Sequence, residues 1–360
     1  MTSLLLLFLY ILSLFSFSSS SIPTRTEYEV DLLFEGWLVK HNKSYNKDSL
    51  EKAKRYEIFK DNLKYIDEHN ACNHTYTLGL NLFSDLTVEE YRNIYLAVNS
   101  TLFPEWNEVG NENDTYYSFN DAINAVPESI DWRELGAVTP VKYQAGCASC
   151  WAFAAVATVE ALNQILTGNL ISLSEQQLID CMYKSCQPGW PIKGLLYIKN
   201  NGGIDTDMDY KYTATVDQCD TLKENKKVVS IDGYQVVQSN NEYALMKAVA
   251  EQPIAAFVSG YERDFQNYKN GIFSGYCSTK TDHVVTIIGY DTEGNKDYWI
   301  IKNSWSDFWG EAGYMRMERN IKEREGKCGI ATQLSRPVKV KQTGDLLGVK
   351  APTGASSNVS

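Results

Sequence analysis

Histidine is scarce in this sequence, and its scarcity limits the chemistry that the chain can perform. Only four histidines occur among 360 residues, and three of them lie before residue 75. The remainder of the chain offers His283 alone. Cys147 and Cys150 have the spacing of a zinc or thioredoxin-like motif, but no second Cys-x-x-Cys follows. We therefore predict neither a metal site nor a cofactor.

Positive charge is also in short supply. Lys and Arg number 34 against 45 Asp and Glu, which gives a formal charge of −11 and a pI near 5.0. This balance argues against nucleic acid as a partner and is typical of a soluble protein of an acidic compartment. No internal repeat or low-complexity block interrupts the chain.

The first 21 residues lack Lys and Arg but are rich in apolar residues. The run from Leu4 to Phe17 is almost wholly apolar and is followed by Ser18–Ser21. A membrane-spanning helix needs roughly 20 apolar residues, so this run is short for one. Residues 1–21 are predicted to be a signal peptide, with an uncleaved anchor as the alternative. We expect a secretory route to a vacuole, a lysosome-like compartment or the extracellular space, and no membrane contact after cleavage.

Residues 22–125 form the next predicted unit. Six residues in it are spaced 4, 4, 3, 4 and 4, which places them on one face of a helix; they are Glu51, Arg55, Phe59, Asn62, Ile66 and Asn70. The alternation from Gly79 to Asp85 predicts a short strand. The polar stretch from Ala97 to Asn124 predicts an exposed linker that a protease can cut. Candidate glycosylation sequons begin at Asn42, Asn73, Asn99, Asn113 and Asn358.

Residues 126–339 differ from the leading unit in their pattern of apolar residues. Ser149–Leu166 predicts a buried helix that ends near Gly168, and Ser174 begins a capping-box pattern for a second helix. Strands are predicted at 254–258, 283–290, 298–302 and 313–317. We expect a helical part over about 126–235, a β-rich part over about 236–339, and a loose tail over 340–360.

The cysteines point to one reactive thiol. Eight occur, and Cys72 lies in the leading unit, so residues 126–339 hold an odd number. In a secretory compartment, seven cysteines are expected to form three disulfides and leave one free thiol, although the sequence alone does not fix the pairing.

Cys150 is the best candidate for the free thiol. It stands at the predicted start of a helix, whose dipole favours a thiolate. His283 is the one base available if the leading unit is removed. Asn303 follows a predicted strand and can orient the imidazole, while Trp305 can shield that hydrogen bond. The backbone N–H of Cys150 and the amide of Gln144 suit an oxyanion.

With these residues the chain resembles the papain family of cysteine proteases, in its plant precursor form. His283 lies 133 residues after Cys150, and Asn303 lies 153 after it, close to the family's usual spacing. The resemblance extends over about residues 30–339. It also includes Asp131-Trp-Arg133, Gly136–Lys142, Ser174–Cys181, Asn303-Ser-Trp305, Trp309-Gly-Glu311 and Cys328-Gly-Ile330, the six-residue helical face, and Gly79, Asn81, Phe83 and Asp85.

The resemblance implies an α+β, papain-like two-domain fold, with a helical left domain and a β-barrel-like right domain. It implies a mostly helical inhibitory prodomain that precedes them and runs backwards through the cleft. It assigns Cys150 as nucleophile, His283 as general base and then acid, Asn303 as orienter and Gln144 as oxyanion donor. The implied disulfides are Cys147–Cys186, Cys181–Cys219 and Cys277–Cys328. The implied substrate-binding residues are Gly189, Trp190, Pro191, Phe257, Asp282, Val284 and Trp305, and Gln333 is a further candidate.

The implied function is a cysteine endopeptidase made as a zymogen. Its expected partners are protein and peptide substrates, its own propeptide as an intramolecular inhibitor, and cystatin-type inhibitors, and it is expected to be a monomer. Bulky Trp190 and Phe257 predict a narrow apolar pocket that prefers Val or Leu to Arg. Acid is expected to protonate carboxylates such as Asp85 and to loosen the propeptide for cleavage near Asn124–Val126.

Three residues depart from the family pattern. Ala148 replaces a glycine between the two cysteines, Tyr143 replaces an asparagine before Gln144, and Pro188 replaces the first glycine of a pair. These departures keep a second hypothesis open: a catalytically impaired homologue that acts as a binding or storage protein.

Overall fold

The structure is a computed structural model that describes residues 25–96, 115–116 and 126–340. The predicted signal peptide, most of the predicted linker and the tail from residue 341 onward lie outside the described residues. The sequons at Asn99, Asn113 and Asn358 lie outside them too. Asn42 and Asn73 lie within them, and both are exposed.

Three α-helices and one strand build the described propeptide up to residue 96; they are α1 (Glu27–Lys40), α2 (Ser49–Asn70), β1 (Tyr76–Leu78) and α3 (Val88–Tyr95), with a short 3₁₀ turn at Ser44–Lys47. A second propeptide strand, β2 (Thr115–Tyr116), follows later in the chain. Helix α1 begins at a capping box in which Thr26 and Glu29 bond each other's backbone. Helix α2 contains the six-residue face predicted from the spacing, and Phe59, Asn62 and Ile66 on that face are buried. The helix prediction is confirmed.

The strand predicted at Gly79–Asp85 is wrong. The strand β1 ends at Leu78, and residues 82–86 form turns. Asn81 explains the difference, because its Oδ1 accepts the N–H of Phe83 at 2.9 Å and its own N–H donates to Ser84 Oγ at 2.8 Å. Such local bonds between side chain and backbone compete with strand pairing.

The remaining elements build the mature domain. Its helices are α4 (Cys150–Thr167), α5 (Glu175–Gln177), α6 (Pro191–Asn201), α7 (Thr221–Glu224), α8 (Glu242–Glu251) and α9 (Arg263–Asn267), with a π-helix at Leu178–Tyr183 and a 3₁₀ turn at Lys327–Gly329. Strand β2 (Thr115–Tyr116) precedes the domain, and its own strands are β3 (Ile130–Asp131), β4 (Gly233–Val236), β5 (Ile254–Val258), β6 (Tyr268–Phe273), β7 (His283–Glu293), β8 (Lys296–Lys302), β9 (Tyr314–Glu318) and β10 (Leu334–Val338).

Helix α4 is the core helix of the mature domain. It begins at Cys150 and ends where Gly168 takes the left-handed conformation, as predicted. It is long and apolar enough to cross a membrane, but 72% of it is buried inside the protein, as expected of a core helix. Ser174 caps the next helix by accepting the N–H of Gln177, yet only Glu175–Gln177 is α-helical before the chain widens into the π-helix.

The ten strands form one sheet with the order β1-β6-β9-β8-β7-β5-β10-β4-β2, and β3 pairs with β7. All four strands predicted for the β-rich part are present. Strands from the leading unit stand at both ends of this order: β1 pairs antiparallel with β6, and β2 pairs parallel with β4. Over the described residues the sheet is an open path, and the polypeptide before residue 126 closes off its two edges.

Two large apolar clusters fill the mature part. One lies around the β-rich half and includes Phe265, Trp299 and Trp305, together with the propeptide residues Phe83 and Tyr91. The other joins α4 and α6, and it contains the Cys150 side chain. Cys150 therefore begins its helix at the boundary between the helical and the β-rich parts.

Three disulfides hold this arrangement. They join Cys147 to Cys186, Cys181 to Cys219 and Cys277 to Cys328, which are the pairs that the resemblance implies. Two cysteines in the described residues are free: Cys150, which is buried, and Cys72, which is exposed in the propeptide.

Candidate active site

Cys150 is the first residue of α4, and its sulfur lies where that helix and strand β7 meet. The N-cap of the helix is Ser149, which itself is 1% exposed. The backbone N–H groups of Val284 and Trp151 lie near the sulfur and lower the pKa of the Cys150 thiol, which favours its charged form. Because Val284 follows His283 directly in β7, these contacts bring the thiol to the start of the strand that carries the histidine.

His283 is fully buried and held on one of its two ring nitrogens. Its Nε2 lies 2.8 Å from Oδ1 of Asn303, and the Trp305 ring stacks on the imidazole at 4.4 Å between centroids. A carbonyl oxygen can only accept, so Nε2 carries the proton of the neutral ring. The other nitrogen, Nδ1, is buried and has no hydrogen-bond partner among the described residues. The ring is thus oriented as a base through Nδ1.

Burial sets the charge state of this pair in the precursor. It raises the pKa of Cys150 to about 12, although backbone N–H groups act in the opposite direction. It lowers the pKa of His283 to about 4, and the bond to Asn303 offsets only part of this shift. Both shifts favour a neutral thiol beside a neutral imidazole while the cleft remains closed.

Gln144 is also fully buried, and its amide is fixed from both ends. Its Oε1 accepts a hydrogen bond from Ser304 Oγ at 2.7 Å, so its Nε2 group must point the other way. That Nε2 donates to the Cys147 carbonyl at 3.1 Å and to the Tyr95 carbonyl at 3.3 Å. The donor type expected for an oxyanion is present, and a propeptide carbonyl uses it.

The end of helix α3 lies in the cleft. Tyr95 is the last residue of that helix, so its carbonyl has no helical partner and accepts from Gln144 instead. Leu96 follows, and a methyl group on Gly260 would lie 3.5 Å from both Leu96 Cδ2 and His283 Cβ. The hydroxyl of Tyr91 donates to the Gly260 carbonyl at 2.9 Å. Propeptide side chains and backbone therefore occupy the approach to His283.

A second contact fastens the propeptide beside strand β6. Asp264 accepts hydrogen bonds from two propeptide hydroxyls, those of Tyr65 at 2.5 Å and of Tyr76. Gly275 leaves room for this arrangement, since a Cβ at that position would collide with the Tyr76 hydroxyl. Neither Asp264 nor Gly275 has any marker in the sequence, because both are more than 180 residues away from their partners.

The residues expected to bind substrate lie around the same cleft. Trp190 and Phe257 stand 4.9 Å apart between ring centroids, and both share an apolar cluster with Val284 and Cys150. Pro191 is the first residue of helix α6. Gln333 contributes its carbonyl, which accepts from Phe257 N–H at 3.1 Å.

Two further expected residues have clear structural constraints. Gly189 is buried against the Trp151 ring, and a Cβ there would lie 2.7 Å from that ring, so only glycine fits. Asp282 accepts the N–H of Gly260 at 2.8 Å, and burial raises its pKa to about 7.

The departures from the family pattern leave this geometry in place. Ala148 donates its N–H to the Cys186 carbonyl at 3.2 Å, and its side chain is half-buried. Pro188 precedes Gly189 and is half-buried as well. Tyr143 is 41% exposed, and its hydroxyl lies 3.2 Å from that of Tyr95.

A buried charged cluster behind the site was not anticipated. Lys142 bonds both Glu160 at 3.0 Å and Glu175 at 2.7 Å, and Lys302 lies close to these charges. With Asn303 they line a cavity of about 20 Å³. Burial raises the pKa of the Glu175 carboxyl to about 7 and lowers the pKa of the Lys302 ammonium to about 8. These four charged residues are spread over 160 positions of the chain, so the sequence does not indicate that they meet in the fold.

Comparisons with known proteins identify the family of this chain. Residues 126–338 match the papain family cysteine proteases, and residues 34–91 match the cathepsin propeptide inhibitor domain (I29). Cysteine proteinase RD21A of Arabidopsis thaliana is 49% identical over 325 residues, which are 89% of this chain and 69% of that protein.

Solved precursor structures are similar over most of the chain. A recombinant stem bromelain precursor is 41% identical with a TM-score of 0.78, over 86% of this chain and 99% of that one. The proform of Amb a 11, a cysteine protease and ragweed pollen allergen, is 36% identical with a TM-score of 0.79, over 88% and 97%. The chain belongs to the papain family of cysteine proteases and is a zymogen that carries the family's inhibitory propeptide.

Proposed function

We propose that Cys150 is the nucleophile of this protease and that His283 is its base. The observation that carries this assignment is the 2.8 Å contact between His283 Nε2 and Asn303, which leaves Nδ1 as the basic nitrogen. The Cys150 proton passes to Nδ1, and the thiolate attacks the carbonyl carbon of the scissile peptide bond. The neutral Asn303 amide holds the ring in position but takes no proton from it.

The oxyanion that forms is bound by the N–H of Cys150 and by Nε2 of Gln144. The imidazolium then gives its proton to the leaving nitrogen, and the C–N bond breaks to leave an acyl group on the Cys150 sulfur. Water attacks that thioester while His283 again acts as base, and the thiolate departs. Gln144 is ready for this role once Tyr95 has withdrawn its carbonyl from Nε2.

Propeptide removal activates the site by exposing it to water. A closed, buried site favours the neutral pair, since burial raises the pKa of Cys150 and lowers that of His283. Water in the open cleft relieves the desolvation of both groups. The thiolate and imidazolium then stabilise each other, as an ion pair does.

Active-site labelling tests this assignment. The acid-processed protein is treated with an epoxide probe, and the labelled peptide is identified by mass spectrometry. We expect the label on Cys150 and no label on a Cys150→Ser variant that the unaltered enzyme has processed. The matched control is the Cys72→Ser precursor, which lacks the other free thiol of the described residues and should give the same labelled Cys150 peptide after processing. Correctly processed protein that takes up no label would favour the binding or storage hypothesis.

We propose further that the apolar pocket of Trp190, Phe257, Val284 and Pro191 accepts the substrate residue second from the scissile bond on its N-terminal side. The rings of Trp190 and Phe257 meet at 4.9 Å, which narrows the space, and no carboxylate is among these four residues to pair with a guanidinium. Val or Leu is expected there. Cleavage of a peptide library varied at that position measures the side-chain preference, and a dominant preference for Arg would contradict the proposal.

The wider assignments are proposals of the same kind. They comprise a signal peptide at 1–21, a propeptide at 22–125 that is cleaved near Asn124–Val126, a mature domain at 126–339, and a tail at 340–360. Secretion to a vacuole or the extracellular space, glycans on exposed Asn42 and Asn73, a monomeric mature enzyme, and inhibition by cystatin-type proteins complete them. N-terminal sequencing, intact-mass measurement and gel filtration of the acid-processed protein test these points together.

A further inference from the structure

Tyr143 is a cleft residue that the reaction steps do not use. It stands immediately before Gln144, and 41% of it is exposed even with the propeptide in place. Its backbone forms an isolated antiparallel bridge with Trp305, whose ring stacks on His283 at 4.4 Å. Tyr143 is thus tied to the residue that covers the imidazole.

The direction of proton transfer decides which part of a substrate Tyr143 can meet. His283 must protonate the leaving nitrogen, so the C-terminal part of the substrate binds on the imidazole's side of the cleft. Trp305 stacks on that imidazole, and Tyr143 is bridged to Trp305. Tyr143 therefore lies on the side where the leaving group binds.

The precursor shows what kind of side chain fits beside it. The Tyr95 hydroxyl lies 3.2 Å from the Tyr143 hydroxyl, and its carbonyl accepts from Gln144. The Tyr95 ring also packs edge-on against Phe83, at 4.6 Å between centroids. A tyrosine whose backbone carbonyl bonds the Gln144 amide can therefore place its hydroxyl beside that of Tyr143. The propeptide is expected to run backwards, so Tyr95 indicates the chemistry of the fit and not the substrate position.

We infer that Tyr143 makes this protease selective for an aromatic, preferably phenolic, side chain at the first or second position after the scissile bond. Two interactions favour such a residue. Contact between two aromatic rings is expected to give roughly a two- to tenfold preference for an aromatic over an aliphatic side chain. An O–H···O bond at a part-exposed site is expected to give a further preference of about two- to threefold for Tyr over Phe. This inference rests on the proposed function, because it requires an acyl-enzyme on Cys150.

Acyl transfer to added amines isolates this side of the cleft. An ester substrate with a fixed acyl group loads Cys150 in every experiment. The amine nitrogen of an amino-acid amide then attacks the thioester carbon, the C–S bond breaks, and the proton of the amine passes to His283. The ratio of amide product to hydrolysis product reports how well each amine binds, independently of how the acyl-enzyme was formed.

The mature enzyme is compared with its Tyr143→Phe and Tyr143→Asn variants, using the amides of Tyr, Phe, Leu and Gly for the first position and the dipeptide amides Gly-Tyr, Gly-Phe and Gly-Leu for the second. We expect the unaltered enzyme to prefer the amides in the order Tyr, Phe, Leu. Tyr143→Phe should lose the two- to threefold advantage of Tyr over Phe, and Tyr143→Asn should bring Tyr and Phe down to the level of Leu. Tyr243→Phe is the matched control, since Tyr243 is 59% exposed on helix α8 and should leave the order unchanged.

The outcomes separate this inference from the proposed function. If no acyl-enzyme forms, the assignment of Cys150 fails. If the acyl-enzyme forms and partitions equally among the amides, or keeps its aromatic preference in Tyr143→Asn, the role of Tyr143 is overturned. A Tyr143→Asn variant that changes only the inhibition constant of added propeptide would show that this residue serves latency alone, which also overturns the inference.

Discussion

The propeptide and the mature domain are stabilised by different kinds of interaction. The mature domain contains three disulfides and two large apolar clusters, one of which also takes in the second half of the propeptide. The first half of the propeptide has a small core of its own, around Trp37 and Phe59. No disulfide joins the described propeptide residues to anything, and Cys72 there is free. The mature domain is thus covalently reinforced, whereas the propeptide is not.

The same contrast holds for charges. In the mature domain, Lys142 pairs with Glu160 and Glu175, whose side chains are 1% and 2% exposed. In the propeptide, Lys54 pairs with Glu90, and their side chains are 56% and 26% exposed. Exposed pairs contribute little and weaken with salt, while buried pairs are costly to break. The contrast applies to Lys54 and Glu90 and not to every propeptide pair, because Asp85 in the propeptide is 2% exposed and pairs with Lys43.

A histidine with a lowered pKa occurs on each side of this comparison: His283 is fully buried and His41 is half-buried. His41 lies between Trp37 and the mature-domain residue Phe308, with ring centroids 5.1 Å from each. Burial lowers its pKa to about 4, as it does for His283, and nearby Lys40 and Lys43 add to the shift. The His283 ring is held by Asn303, while Nε2 of His41 is buried without a partner among the described residues. His283 is the base in the proposed mechanism, whereas His41 is a titratable group at the interface between the propeptide and the mature domain.

The largest expected effect concerns the buried charges of the mature domain. Lys142→Met removes the cation that bonds both Glu160 and Glu175 and leaves only Lys302 nearby, and we expect the free energy of unfolding of the mature domain to fall by roughly 3–5 kcal/mol. Denaturant unfolding of the inhibited mature enzyme measures it. Lys142→Arg is the control, since it retains the charge. A loss below about 1 kcal/mol for the Met variant would show that the two regions do not differ in this respect.

The next effect concerns the orientation of His283, the proposed base. Asn303→Ala removes the acceptor from His283 Nε2, and misplacement of the ring should lower kcat/KM by roughly 100-fold. Asn267→Ala is a suitable control, since it removes another buried asparagine, which bonds the Arg263 carbonyl outside the catalytic pair. Steady-state kinetics on one peptide substrate compares them. Equal losses in both variants would mean that Asn303 acts through folding alone.

A smaller effect is expected from His41. Its pKa is lower in the folded precursor than the ordinary 6.5, so the folded form binds fewer protons than the released form. The interface is therefore fully stable above about pH 6.5 and loses stability as the pH falls through about 4. Because the ring is only half-buried, we expect a loss of about 1 kcal/mol.

Thermal unfolding of the inactive Cys150→Ser precursor over that pH range measures the His41 effect without self-cleavage. The variants His41→Phe and His41→Gln both remove the titration and should flatten the pH dependence in this window. The two replacements differ in apolar packing, so flattening by only one of them would assign the effect to packing and not to charge. The pairing of Asp85 with Lys43 and Tyr45 remains in both.

The smallest effect is expected at the exposed charges of the propeptide. Lys54→Ala breaks its pair with Glu90 and should reduce the stability of the precursor by about 0.2–1 kcal/mol, and by less at high salt. Denaturant unfolding of the Cys150→Ser precursor at two ionic strengths checks both statements. A loss as large as that of Lys142→Met would erase the contrast between the two regions.

Local patterns could be predicted from the sequence. The period of the residues from Glu51 to Asn70 predicted helix α2, and the apolar run after Ser149 predicted the helix that begins at Cys150. The counts of cysteine and histidine narrowed the reactive pair. In each case the relevant residues are near one another in the chain, or the residue type is rare.

Contacts between distant residues could not be predicted in this way. The alternation at Gly79–Asp85 predicts a strand, because period alone does not reveal the side-chain bonds of Asn81 that fold this segment into a turn. The bond between Tyr95 and Gln144 joins residues 49 positions apart, and the one between Tyr76 and Asp264 joins residues 188 apart. Tyrosine and aspartate are common residues, so nothing in the sequence marks these partners.

Gly275 belongs to the mature domain, yet its lack of a side chain serves the precursor. A Cβ there would collide with the hydroxyl of Tyr76, a residue that departs with the propeptide. Once maturation is complete, that obstacle no longer exists. The mature enzyme thus keeps a glycine at position 275 that accommodates a propeptide side chain it no longer contains. Inspection of the mature enzyme alone would show only the milder constraint from Asp264, whose Oδ2 would lie 3.1 Å from such a Cβ, and would miss the closer contact with Tyr76.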